Sequence, residues 1–571
     1  MKRKQIAIAL SAALSVSVLA GCGGSDSGND GGQTTDLSSN IVTTYDATDM
    51  SNNPSKAQER KDTLVIGTIA PDGVFNPLYA EGAYDMYPTE VMFASLMVPQ
   101  EDGSMGAYLA EGEPEVSEDG LSYTYKIKKD AKWSDGTDIT AKDVEMAIKV
   151  ACDSSYIGVA DYRTGRVKIK GAQEYFEGKS DSISGVEIVD DKTVKFTILE
   201  KSSSAAIVLG GTQPINAAYT SQFYSQGNTD KLKETFTNPG PTSGAYTFKS
   251  YKKGEELVLE ANENSFLGKP GIKNIVYKVT TDATKLQMLE AGDVDFVELA
   301  ISKDYVDHTQ SLGYLGYQIY PTNGYGYICF NVAKPQFKDP AVRKALTVAL
   351  DRSTITSSIF NEYAEVINVP QTKASWAYHE GENKYEYNLE EAKKILDEAG
   401  WKVGADGIRE KDGVKLTINF TGSSDNDVVD SILSVSDKDW KDLGVQYTNE
   451  KMEFAAMREK QKGDDWDMLF MAWGLTNDPN DMDVYGTNGS QNKTNYSNKK
   501  VDELYTKISQ ELDQEKAKEL YKELYTELNN DLPYIYLYQR NDMWAYNGRV
   551  KGLESSPFVH YSWNLYKATL E

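Results

Sequence analysis

Hydrophobic and polar residues alternate with the period of strands in several parts of the chain after residue 62. An apolar run closed by glycine, Thr63–Gly67, predicts a buried strand, and residues 123–128 place every second side chain on one apolar face. The same alternation predicts two hairpins, one over residues 186–198 and one over residues 245–260. These segments predict strands spread along the whole chain.

Residues that cap helices stand between the predicted strands. Thr140 with Asp143 has the spacing of a capping box, and Asp339 followed by Pro340 supplies an N-cap and a first-turn proline. Further helix starts are predicted at Asn388, Asn498 and Asp513. The pattern therefore predicts an α/β protein, and about 500 residues are enough for two or three lobes with cores of their own.

The first 22 residues carry the pattern of an export signal. The basic residues 2–4 precede an apolar run, Ile6–Ala20, that is too short to span a membrane. The run ends at Leu19-Ala20-Gly21-Cys22, which resembles the lipobox of bacterial lipoproteins. We expect residues 1–21 to be removed and Cys22 to anchor the protein to the outer face of the cell membrane through acyl chains. The alternative is an ordinary secretory signal with a chance cysteine.

The segment after the cysteine is rich in Gly, Ser and Asp. Such residues bury too little apolar surface to offset the entropy of ordering, so residues 22–60 are predicted to be a disordered tether.

Composition excludes several classes of function. The formal net charge of −26 argues against nucleic-acid binding, which needs a basic surface. Cys152 and Cys329 lie in apolar segments and are expected to be buried thiols rather than a disulfide. The three histidines, in no zinc-binding spacing, are expected on the surface or in packing. No nucleophile–base motif is present. We therefore expect a binding protein without metal or cofactor, and not an enzyme.

Four segments, in order and spacing, resemble the peptide/nickel/oligopeptide family of ABC-transporter solute-binding proteins, in its oligopeptide branch. The segment 131–144, with Trp-Ser-Asp-Gly-Thr, is very close to the recurring W-S-D-G-x-x-[IVL]-T-A-x-D-V run of that family. Residues 238–248 resemble its N-P-x-G-[TS]-G-P-Y element, and residues 286–295 and 330–346 complete the set. The resemblance covers the chain from about residue 63 to residue 567.

The resemblance implies a bilobal periplasmic-binding-protein-like fold of class II, in the three-lobe, pear-shaped variant with a hinge between two main lobes. Lobe I would comprise residues 61–108, 205–300 and 545–571, lobe II would be an insertion of residues 109–204, and lobe III would comprise residues 301–544. A monomer of this kind would enclose an extended oligopeptide or dipeptide between the lobes and deliver it to ABC permease and ATPase subunits. A non-peptide ligand, such as a nickel chelate or a sugar, and a peptide signal remain the alternatives.

In relatives of this branch the ligand pairs with backbone on both lobes. By spacing, one contributing strand would fall at Glu81, Gly82, Ala83 and Tyr84, a segment that could also be an ordinary loop. The other would fall at Ala472, Trp473 and Gly474. Trp473 would cover a ligand side chain; the alternative is a core tryptophan.

The resemblance fails at one position of chemical importance. Peptide binders of this group usually carry an aspartate three residues after the tryptophan, where it pairs with the ligand's ammonium group, and this chain has Thr476 there. Asp478 could replace that aspartate through a shifted loop, or it could simply cap a turn. The remaining candidates lie in segments that approach the ligand in relatives, although each could be a packing residue: Tyr156, Asn323, Tyr325, Trp376 and Phe454.

Overall fold

The computed structural model describes residues 42–424, 426–554 and 556–571. The predicted signal segment, Cys22 and the first part of the predicted tether lie outside these residues. Among the helices of the described part, none combines the length and the apolar character needed to cross a membrane.

The strands, in chain order, are β1 (Thr43–Tyr45), β2 (Thr63–Thr68), β3 (Met97–Pro99), β4 (Met105–Ala107), β5 (Glu115–Val116), β6 (Ser122–Lys126), β7 (Val186–Asp190), β8 (Thr193–Thr197), β9 (Tyr246–Lys252), β10 (Glu256–Ala261), β11 (Asn274–Val279), β12 (Phe296–Ala300), β13 (Leu315–Pro321), β14 (Gly324–Phe330), β15 (Ala364–Glu365), β16 (Lys402–Val403), β17 (Arg409–Lys411), β18 (Val414–Lys415), β19 (Thr417–Ser423), β20 (Gln446–Met452), β21 (Met468–Gly474), β22 (Tyr534–Asn547), β23 (Val550–Lys551) and β24 (Thr569–Leu570).

The α-helices, in chain order, are α1 (Ser55–Glu59), α2 (Ala83–Met92), α3 (Ala141–Ala151), α4 (Ala172–Phe176), α5 (Ala205–Gly210), α6 (Ala217–Thr220), α7 (Lys285–Glu290), α8 (Lys303–Leu312), α9 (Pro340–Val348), α10 (Arg352–Phe360), α11 (Leu389–Glu398), α12 (Asp427–Asp442), α13 (Phe454–Lys462), α14 (Met482–Tyr485), α15 (Lys499–Gln510), α16 (Gln514–Asp531) and α17 (Tyr561–Asn564).

Local signals in the sequence predicted many of these elements correctly. Asp143 accepts a hydrogen bond from the Thr140 backbone N–H (2.7 Å), which is the expected capping box of α3. The hairpins β7–β8 and β9–β10 are antiparallel as predicted. Helices α9, α11, α15 and α16 begin directly after the predicted caps. Both described cysteines are buried and free.

One large sheet runs through the described body in the order β20-β19-β21-β14-β22-β12-β2-β11-β10-β9. The long strand β22 pairs with β14 along residues 534–538 and with β12 and β13 along residues 541–547. It therefore joins a β14 half (β14 and β19–β21) to a β2 half (β2 and β9–β13). The chain crosses a second time at Thr322, whose N–H donates to the Arg540 carbonyl on β22 (3.0 Å).

Each half of the large sheet has a core of its own. In the β14 half, α9–α12, α15 and α16 pack around residues such as Trp440 and Leu528. In the β2 half, one continuous core extends into a separate sheet of order β5-β6-β8-β7, where Trp133 and Val144 are buried. The insertion expected as lobe II thus shares its core with the β2 half.

The predicted boundary between lobes I and III is wrong for residues 301–321. Helix α8 and strand β13, expected in lobe III, pack in the β2 half, where Val306 and Ile319 share a cluster with Val65 and Met543. The reason is strand pairing, because β13 aligns with the second part of β22 and not with the first. The rest of the three-lobe division stays a prediction.

The predicted tether is also wrong for residues 43–60. Strand β1 pairs antiparallel with β13, and Tyr45 stacks on Tyr317 with ring centroids 4.5 Å apart. Helix α1 buries Ala57, and the Arg60 guanidinium pairs with the buried carboxylate of Asp295 at 2.6 Å. Backbone pairing and a few anchoring side chains order this segment although its composition is polar.

Candidate functional site

The C-terminal part of β21 has one unpaired edge. Along its whole length β21 pairs with β14, but its other neighbour, β19, reaches only Met468 and Leu469. The Leu475 N–H donates to the Asn323 carbonyl on the β14 side (2.8 Å). Because backbone groups alternate in direction along a strand, Ala472 and Gly474 direct their N–H and C=O groups to the open side, where no described strand lies.

The side chains around this edge hold it in place. The half-buried indole of Trp473 lies parallel to the Tyr327 ring, with centroids 6.1 Å apart. The Asn323 amide donates to the carbonyls of Leu475 (3.1 Å) and Thr476 (3.2 Å) and so fixes the chain where it leaves the strand. Ala472 and Gly474 themselves are exposed. The edge is therefore a rigid, accessible length of backbone beside an aromatic ring.

A cavity of about 300 Å³ lies next to the chain that follows this edge. Thr476 and Asn477 form one wall, and residues from the segments 77–105 and 207–213, together with Trp563, form the rest. Its large apolar side chains are Met86, Met97, Met105, Ile207 and Trp563. Its polar side chains are Thr89, Glu90, Ser95, Gln213, Thr476 and Asn477. The cavity thus lies between the β14 half and the β2 half.

The carboxylate of Asp478 is not available as a replacement for the missing aspartate. One oxygen forms an ion pair with Arg166 (3.1 Å) and accepts a hydrogen bond from the Ser204 hydroxyl. The other oxygen accepts from the Asn480 N–H (3.0 Å), as a turn cap does. Its hypothetical role as the ammonium-binding group is not supported, because both oxygens are already engaged.

Arg166 connects the insertion to the β14 half at several carboxylates. Its guanidinium also pairs with Asp483 at 3.0 Å. Asp481 lies nearby, and burial raises the pKa of its carboxyl to about 7; the negative charges of Asp478 and Asp483 act in the same direction and Arg166 opposes them. A backbone hydrogen bond from Ser203 N–H to the Ser509 carbonyl (2.8 Å) joins the same two regions.

The strand expected at residues 81–84 is not formed. Glu81 and Gly82 are exposed residues of a loop, with Gly82 as the N-cap of α2, and exposed Ala83 and Tyr84 form its first turn. The helix continues through Pro88 and carries Thr89 and Glu90 into the cavity wall. The predicted secondary structure of this segment is therefore wrong, and its role in ligand contact stays a prediction.

The other candidates are spread over several environments. Tyr156 packs on Tyr79 and donates to the Leu78 carbonyl, and Tyr325 is buried with its hydroxyl 2.8 Å from that of Tyr485. Trp376 packs edge-on against Tyr521 at 5.5 Å, and Phe454 is exposed at the start of α13. The described structure brings Asn323, Ala472, Trp473, Gly474 and Thr476 together around the β21 edge.

Several residues of the cavity were missed in the sequence. Met86, Thr89 and Glu90 have the i, i+3, i+4 spacing of one helix face, which is the signal that could have identified them. Pro88 hides that helix, because proline inside a helix is normally unfavourable. Arg166 carries no local signal at all.

Comparison with known proteins gives a family and a set of similar structures. Residues 105–495 match the family described as bacterial extracellular solute-binding proteins, family 5 Middle. The oligopeptide-binding protein AppA of Bacillus subtilis (strain 168) is 28% identical over 572 residues, which cover 98% of this chain and 97% of the relative.

Solved structures agree in fold. The structure of AppA from Bacillus subtilis in complex with a nonapeptide has a TM-score of 0.72 and 28% identity, covering 90% of this chain and 100% of that one. The ABC transporter substrate-binding protein CtaP from Listeria monocytogenes has a TM-score of 0.76 and 23% identity, with coverage of 90% and 100%. The predicted bilobal, mixed α/β fold is confirmed.

Proposed function

The chain belongs to family 5 of the bacterial extracellular solute-binding proteins, and we propose on this premise that it captures an extended peptide between the β2 half and the β14 half and delivers it to an ABC importer. The observation that carries the proposal is the open backbone edge at Ala472 and Gly474. A peptide can add to such an edge as a further strand, so that backbone hydrogen bonds supply affinity without regard to side-chain identity.

Similar proteins support this ligand class and this partner. AppA is described as an oligopeptide-binding protein, and its structure contains a nonapeptide. CtaP is described as a substrate-binding protein of an ABC transporter. The site is built for binding, with an open strand edge, a stacked tryptophan and an adjoining cavity. We therefore propose a transport receptor without catalytic activity.

The N-terminal sequence supports a proposal for the location of the protein. We propose that Cys22 carries lipid and holds a monomeric receptor at the outer face of the cell membrane, where the permease is embedded. Acyl chains anchor a protein without spanning the bilayer.

Native mass spectrometry tests the proposed ligand class directly. The full-length protein is purified without refolding, its mass is measured intact, and the compounds released on denaturation are identified. We expect a series of peptides, because pairing through backbone accepts many sequences. A single non-peptide compound would contradict the proposal. If the protein is empty, failure to bind any member of a synthetic peptide set by calorimetry would also contradict it.

A further inference from the structure

The side-chain hydroxyls that line the cavity beside the β21 edge already donate hydrogen bonds within the protein. A hydroxyl has one hydrogen, and each hydroxyl of the wall directs it to a backbone carbonyl; the two amide side chains of the wall also donate to carbonyls. The pairs are Thr89 to Asp85, Ser95 to Met97, Gln213 to Phe93, Thr476 to Asp478 and Asn477 to Gly103. A hydrogen-bond acceptor of a ligand in this cavity therefore finds few free hydroxyl donors.

Glu90, in contrast, supplies a hydrogen-bond acceptor to the cavity. One oxygen of its carboxylate accepts a hydrogen bond from the Ser562 hydroxyl, and the other has no hydrogen-bond partner among the described residues. Glu90 forms no ion pair within the described part of the chain, and no Lys or Arg lines the cavity. The nearby His560 is engaged with Glu298 (2.9 Å) and stacked on Tyr87. Burial raises the pKa of the Glu90 carboxyl, and the nearby His560 and the Ser562 hydroxyl oppose that shift. The wall thus contains a carboxyl group with one free oxygen and no Lys or Arg beside it.

We propose that Glu90 binds the cationic group of the ligand in this cavity, since Thr476, which lines the same cavity, has no charge to offer it. The inference rests on the proposed function and makes it more specific, since the ligand is then a peptide whose ammonium or guanidinium group enters the cavity. An ammonium or guanidinium group has only donors, which match the free carboxylate oxygen.

The apolar wall indicates what accompanies the cation. Met86, Met97, Met105 and Trp563 line the same cavity as Glu90. Methionine side chains are flexible and adapt to different apolar shapes, and an indole face also attracts cations. The ligand class is therefore an aliphatic or aromatic residue next to a cation. That cation is either the amino terminus of the peptide or a Lys or Arg side chain.

Calorimetry with Glu90→Gln and a matched control shows whether the bound cation is the amino terminus or a side chain. The control is Glu118→Gln, an exposed carboxylate outside the cavity wall and not among the predicted ligand contacts. The probes are synthetic hexapeptides of Ala and Leu in four forms: free amino terminus with one Lys, acetylated with one Lys, free amino terminus with Gln in place of Lys, and acetylated with Gln.

We expect Glu90→Gln to weaken binding of cation-bearing probes by about ten- to a hundredfold, the worth of a hydrogen bond to a charged group. Glu118→Gln should change nothing, and Glu90→Asp should restore part of the affinity. If the acetylated probes bind wild type and Glu90→Gln equally well, the cation is the amino terminus. If the probes with Gln in place of Lys do so, the cation is the Lys side chain. Thermal unfolding of each variant verifies that it is folded.

The two levels of the proposal fail in different ways. If the wild-type protein binds the probes and Glu90→Gln binds them equally well, the Glu90 inference is wrong and the peptide receptor stands. If the wild-type protein binds none of the probes, both are overturned.

Discussion

Trp473 is held by stacking on Tyr327 while part of its indole remains accessible beside the open edge. We predict that Trp473→Ala lowers the affinity for peptides about three- to tenfold, since an aromatic contact contributes about 0.5–1.5 kcal/mol. The free energy of unfolding should fall by about 2 kcal/mol, less than for a fully buried tryptophan. Calorimetric titration and denaturant unfolding measure the two effects.

Tyr387→Ala is the control for that experiment. Tyr387 is a partly exposed aromatic residue whose hydroxyl donates to Asp439 (3.1 Å), and it is not among the predicted ligand contacts. The variant should lose some stability and keep its affinity for peptides. An equal loss of affinity in both variants would show that the effect arises from general loosening of the β14 half.

The raised pKa of Asp481 predicts an unusual dependence of stability on pH. Its pKa is about 7 in the folded protein, with burial as the main cause, against about 4 for an unfolded chain. The folded state therefore holds the proton more tightly. The contribution of this group to stability is complete below about pH 4 and is lost as the pH rises through about 7. Arg166, Asp478 and Asp483 are the charged groups that act on it.

The measurement is the thermal unfolding midpoint of wild-type protein and Asp481→Asn between pH 5 and pH 8. We expect the wild-type midpoint to fall relative to that of the variant as the pH rises. The exposed Asp181→Asn serves as a control and should follow the wild type at every pH. Parallel curves for wild type and Asp481→Asn would mean that Asp481 titrates normally.

Individual residues were predictable where their partners are close in sequence. Thr140 and Asp143 are three positions apart, and their capping box could be deduced from the sequence alone. Arg166 and Asp478 are separated by 312 positions, and neither has a local pattern that points to the other. The Glu90 carboxylate looks like any surface glutamate until α2 carries it into the cavity wall.

At the scale of elements, the open half of β21 gives a direct test of backbone recognition. We predict that Ala472→Pro lowers peptide affinity about tenfold or more, because it removes an N–H directed to the open side and the value of at least one hydrogen bond. Proline is tolerated at a strand edge, so the protein should stay folded. Calorimetric titration gives the affinity and circular dichroism the fold.

Ala472→Val keeps the N–H and adds a branched side chain at the same place. We expect it to bind peptides as the wild type does. If the valine variant loses as much affinity as the proline variant, then side-chain bulk is responsible and the backbone pairing hypothesis fails for this strand.

Elements with strong local signals were predicted well, and elements stabilised by tertiary contacts were not. The hairpin β7–β8 and the helices α9, α11, α15 and α16 follow directly from alternation and caps. Helix α2 contains Pro88, and the resemblance had placed a strand at its start. Strand β1 is held by pairing with β13, more than 250 positions away in the sequence, which a polar composition does not reveal.

At the scale of the whole molecule, the proposed lipid anchor depends on a single atom, the thiol of Cys22. We predict that Cys22→Ala moves the protein from the membrane fraction into the surrounding medium or periplasm, whereas Ser25→Ala, three positions further, leaves it in place. Cell fractionation and immunoblotting measure the distribution. A Cys22→Ala protein that stays with the membrane would contradict the anchor.

Strand β22 is common to both halves of the large sheet and lies at residues 534–547 of a 571-residue chain. Neither half can complete its sheet until this strand has been synthesised. The sheet can therefore form only after about nine-tenths of the chain has been made. We expect the late position of β22 to delay formation of the native sheet during synthesis, and such a delay would favour export of the chain before it folds.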